Sequence, residues 1–83
     1  MPDKEIISLD QAQILAERFL EERLKGIKSI SIEKIQLTSV EHIVVYDVEG
    51  KAFVGGSLFT RKTECPFKIQ VAAKDGIIVG YQF

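Results

Sequence analysis

The sequence predicts an α+β domain: one N-terminal helix packed on a curved antiparallel sheet of four to five strands, connected as a meander. Three observations predict it. Apolar residues recur at three and four residue spacing in a single stretch, 8–26. From there to the end the pattern changes to alternation, the period of a half-buried strand. And 83 residues make one domain, 1–83, whose size supports about one helix on one sheet.

The helix is marked at both ends. Ser8 and Gln11 form a capping box, with Ile7 placed to staple onto Ala12. Lys25 falls in the last turn, and Gly26 is suited to the left-handed residue that closes a helix. Leu9, Ala12, Leu15, Ala16, Phe19, Leu20 and Leu24 make one apolar stripe, which requires a sheet to cover it. Ile14 alone falls among the charged residues of the other side.

The first strand, 29–37, carries a phase slip. Ile30 and Ile32 share one face and Ile35 and Leu37 the other, so a bulge at Glu33-Lys34 is needed to bring all four to the core. A turn at 38–41 leads to a second strand, 42–49, with Val44, Tyr46 and Val48 on one face and Ile43 and Val45 on the other, the pattern of a central strand. Gly50-Lys51 suits a two-residue hairpin. The third strand, 52–61, contains Gly55-Gly56, a pair that bends a strand around a helix. The last two strands, 67–73 and 77–82, are joined by Lys74-Asp75-Gly76, a type I turn closed by a left-handed glycine. That loop sets Ala73 opposite Ile77, Val71 opposite Val79 and Ile69 opposite Tyr81, all facing the core.

Composition excludes several functions. A net charge of −1 with scattered basic residues argues against a nucleic-acid or anionic-membrane binder. No apolar run approaches the roughly 20 residues of a membrane span. One cysteine forms no internal disulfide, and 1–7 lacks a signal-peptide pattern, so a cytoplasmic location is expected. The absence of Asn beside abundant Lys, Glu and Ile leans toward a thermophilic composition.

No catalytic, cofactor or metal site is expected. His42 and Cys65 are the sole candidates for a nucleophilic dyad, and a meander sets them at one rim, two strands apart, roughly 10 Å at strand spacing. One His and one Cys are too few for a closed zinc site. Glu17, Glu21 and Glu22 read as helix-surface pairing with Arg18, Arg23 and Lys25. Gly55-Gly56-Ser57 lacks the following helix that would make it a phosphate cradle.

The stretch Val71-Ala72-Ala73-Lys74-Asp75-Gly76-Ile77-Ile78-Val79, after one helix and a meander, resembles the last hairpin of small PepSY-type domains, with Ala72 where Asp is usual and Ile77 where Glu is usual. That resemblance implies the fold and a role in peptidase modulation or in ligand and protein binding. Tyr46-Asp47-Val48-Glu49-Gly50 resembles, without its Gln, the hairpin motif with which cystatins enter protease clefts, and implies peptidase inhibition.

The remaining property is association. One helix covers one face, and the other carries Ile43, Val45, Ala72 and Ile78 beside Lys68, Gln70 and Gln82. The last strand is apolar, uncharged and a natural edge. The reading is therefore a non-enzymatic protein-interaction module that forms a homodimer through this face or edge, with Ile43, Val45, Ile78 and Tyr81 as interface residues. The alternative is a small-molecule pocket between Phe19, the bent third strand and Phe59.

Overall fold

The computed structural model describes residues 6–55 and 62–83. The order is α1 (Leu9–Arg23), β1 (Ile27–Val40), β2 (Ile43–Gly55), β3 (Lys62–Ala72) and β4 (Ile78–Gln82). The four strands form one open antiparallel sheet in chain order, with β1 and β4 at its edges.

Both halves of the capping box form. The Gln11 N–H donates to Ser8 Oγ at 3.1 Å, and the Ser8 N–H donates to Gln11 Oε1 at 3.0 Å. The helix stops at Arg23, two residues short of Lys25, because Leu24 turns extended and packs against the core. Gly26 is left-handed, as expected, but it serves the turn into β1, where its carbonyl accepts from the Gly55 N–H at 3.0 Å. Ile7 is clamped to the sheet: its N–H donates to the Ala73 carbonyl, and its own carbonyl accepts from the Tyr46 hydroxyl, each at 2.8 Å.

Ala12, Ala16 and Leu20 are fully buried, and Leu15, Phe19 and Leu24 border them, so the stripe holds except at Leu9, which is exposed. Against it lie Tyr46, Val48 and Ala52 of β2 and Phe67, Ile69 and Val71 of β3. Ile14 is exposed, as its position among charges implies.

β1 is longer than expected, with extra residues at Lys28 and Glu33. The second is the expected bulge. Across it, Ile30 and Ile32 before and Ile35 and Leu37 after stand opposite Ala52, Gly50, Val48 and Tyr46, all on the helix side. Leu37 is nevertheless exposed, because a 15-residue helix is about 22 Å long and the molecule 56 Å, so the β1–β2 hairpin runs past its cover. The turn is Glu41-His42, both with positive φ, not 38–41.

The expected hairpin at Gly50-Lys51 does not form, and the strand expected at 42–49 runs on through the described part of the one expected at 52–61 as a single strand, β2. Gly50 sits opposite both Ile32 and Phe67, and a Cβ there would collide with the Ser31 carbonyl and stand 3.1 Å from Phe67 Cζ. Its lack of a side chain serves close packing in a central strand rather than a turn. Among the described residues the sheet therefore has four strands. Of the expected bend, Gly55 ends β2 with φ of +86°, and Gly56 lies outside the described residues.

The last hairpin keeps Ile69 opposite Tyr81, but Val71 faces Ile78 instead of Val79. The loop is wider than three residues: the Gly76 N–H bonds the Ala72 carbonyl, the Ala72 N–H bonds the Ile77 carbonyl, and Asp75 Oδ1 accepts from the Ile77 N–H. Gly76 is left-handed as expected. The residue added to the loop is compensated by a bulge at Val79, which restores register from Gly80 onward.

Candidate interaction surface

β4 is an edge strand, paired to β3 by four residues from Val71 to Lys68. Its outer N–H and C=O groups face away from the sheet. Along 77–83 no residue is charged, and Ile77, Val79, Tyr81 and Phe83 are all between 46 % and 59 % exposed. The register expected from a three-residue loop turns these four toward the core. The bulge and the narrowness of α1, which packs over β1, β2 and β3, leave them at the margin instead.

An aromatic group joins this margin to the helix. Phe19 meets Tyr81 at 5.0 Å between centroids and Phe83 at 6.4 Å, and Tyr81 meets Phe83 at 5.2 Å, all tilted. Arg23 lies over two of the rings, 4.9 Å from Phe19 and 5.3 Å from Tyr81, and its Nη1 donates to the Tyr81 hydroxyl at 3.4 Å. These contacts draw the guanidinium toward the ring faces and hold the rings in one layer. Phe19 and Arg23, one turn apart on α1, complete a surface that strand alternation alone does not reveal.

The four expected interface residues separate. Tyr81 is in the aromatic layer. Ile78 is on the helix side opposite Val71 and packs on the core, contrary to its expected place on the uncovered face, because the bulge at Val79 shifts the phase. Ile43 is exposed at the β1–β2 end, and Val45 beside it is fully buried.

The uncovered face is polar in its middle. One row runs Gln36, Asp47, Gln70 and Gly80; the next runs Lys34, Glu49, Lys68 and Gln82. Lys68 pairs with Glu49 at 3.7 Å, and Lys51 bridges Glu64 at 2.8 Å and Glu33 at 3.7 Å. The Glu64 hydrogen bond, its charge and the charge of Glu33 hold the Lys51 amine above its ordinary pKa. A surface groove of about 500 Å³ crosses this region, past Pro66 and Phe83. Asp47 Oδ1 is buried with no hydrogen-bond partner among the described residues.

Other candidate chemistry is dispersed. His42 lies in the β1–β2 turn, whereas Cys65 stands opposite Ala52, ten positions along β2 and roughly 30 Å away at strand rise, so the two do not share a rim. Of the expected pocket, Phe59 lies outside the described residues, and Phe19 turns to Tyr81 and Phe83. Gly56 and Ser57 of the glycine-rich stretch also lie outside. Tyr46, Val48 and Gly50 are buried in the middle of β2 rather than at a hairpin tip. No helix among the described residues is long and apolar enough to cross a membrane. No protein-family model matches the chain, and neither the curated proteins nor the solved structures contain a match to it.

Proposed function

We propose that this chain is a non-enzymatic protein-interaction domain that self-associates through the free edge of β4. The observation that carries the reading is the uncharged stretch 77–83, with four large apolar side chains about half exposed beside edge backbone groups that have no partner strand among the described residues. Edge strands of monomeric proteins are usually protected by charge, proline or cover. On the half of β3 that β4 does not cover, Pro66 and the charged Glu64 give such protection, and β4 has none among the described residues. The polar rows of the uncovered face favour the edge over the face as the contact.

Native mass spectrometry on protein purified without detergent or chelator tests the proposal. The expected result is a dimer that becomes a monomer on Val79→Lys. Val79 is bulged and exposed, so the variant keeps its fold, checked by circular dichroism; Ile78→Lys is less suitable because Ile78 packs on the core. A wild-type monomer, or a dimer indifferent to Val79→Lys, would contradict it.

A further inference from the structure

We infer that the assembly is a closed two-fold dimer in which β4 pairs antiparallel with β4 of a second copy, Tyr81 facing Tyr81. The inference rests on the reading of β4 as the association edge. Four strands from each copy then form one continuous eight-stranded sheet.

A sheet with two free edges has two ways to grow. Joining β4 of one copy to β1 of the next is head-to-tail and does not close, so it builds a filament. Joining like edges about a two-fold axis stops at two. Backbone groups at an edge exchange water for protein at small net gain, so the apolar area beside the edge decides which edge is used. β1 is broken by the bulges at Lys28 and Glu33, and Ser29, Ser31, Gln36, Thr38 and Ser39 line much of it. β4 has its one bulge near its start and carries Tyr81 on the regular remainder, with Phe83 one residue past its end.

Side-chain faces fix the register. Residues opposite one another in an antiparallel pair share a face. With Tyr81 on the axis, Val79 stands opposite Phe83 of the second copy, and Gly80 opposite Gln82. Apolar residues then meet apolar ones, and the polar Gln82 meets a residue with no side chain. An axis at Gly80 instead sets Gln82 against Ile78, whose side chain packs on the core of its own copy, and Phe83 against Ile77 in the loop. α1 shelters β1, β2 and β3, so the Tyr81 and Phe83 rings have Phe19 as a wall on one side only. The second copy supplies the other wall.

Photo-oxidative dityrosine cross-linking reads this directly. The chain has two tyrosines, and Tyr46 is buried with its hydroxyl held by Ile7, which leaves Tyr81 to react. The expected product is a covalent dimer linked Tyr81 to Tyr81, from a native species no larger than a dimer. Tyr81→Phe should abolish the link and keep the dimer in native mass spectrometry. Native species larger than a dimer, or a native dimer giving no Tyr81–Tyr81 link, would overturn two-fold pairing while leaving association through β4 standing. A native monomer would overturn both.

Discussion

The ring of Phe19, in the middle of α1, packs on the ring of Tyr81 in β4 with centroids 5.0 Å apart and planes inclined by 59°. With Arg23 above both rings, this contact ties the edge strand to the helix. Phe19→Leu keeps an apolar side chain but removes the aromatic pair, and should cost about 1 kcal/mol in urea unfolding. The loss should be smaller when Tyr81 is already Leu, since the two residues then share the same missing contact. Equal losses in both backgrounds would show that the rings are not coupled.

Gly50→Ala tests the close packing at the centre of the sheet. The new methyl collides with the Ser31 carbonyl and crowds Phe67, and neither a strand backbone nor a buried ring yields easily. A loss of about 2 kcal/mol or more is expected from overpacking. Gly50 adopts no left-handed φ, so a small change would mean that the strands separate there at little cost.

The Glu41-His42 turn has positive φ at both residues, 49° and 71°, the signature of a two-residue primed hairpin without the usual Asn-Gly. The double change Glu41→Asn with His42→Gly should stabilise the fold by about 1 kcal/mol. Thermal unfolding measures it. No gain, or a loss, would mean that the two side chains stabilise the turn by contacts of their own.

Much of this architecture is legible in the sequence. The stripe from Ala12 to Leu20 marks the helix because buried faces keep a strict period, and the broken alternation at Glu33 locates a bulge because a one-residue slip would turn Ile35 and Leu37 outward. Gly50 misleads because glycine serves turns and close packing equally well, and only Ser31, Ile32 and Phe67, distant in sequence, decide between them. The Glu41-His42 turn carries no turn residue. The bulge at Val79 depends on how the five residues after Ala72 close the loop, which their composition does not settle. That one bulge moves Ile78 inward, so the surface is reached through Tyr81 but not through Ile78, and Val45, between Thr38 and Ala72 in the sheet, is buried apart from it.

Lys51 makes the clearest pH prediction. Its amine is raised above 10.5 by Glu64 first and Glu33 second. Stability from these pairs is fully present below the unfolded lysine pKa and is lost as pH rises through the raised folded value. The effect is small because the side chains are largely exposed. In Glu64→Gln, the Lys51 amine should titrate nearer its ordinary value by NMR, and Glu33→Gln should move it less. The reverse order would show that the shorter bridge is not the stronger one.

Backbone hydrogen exchange as a function of protein concentration tests the central claim most directly. If β4 is the association edge, the outward N–H groups among Val79–Gln82 exchange more slowly as concentration rises, and those of β1 do not change. Slowing confined to β1, or no concentration dependence in β4 where a dimer is present by mass, would contradict it.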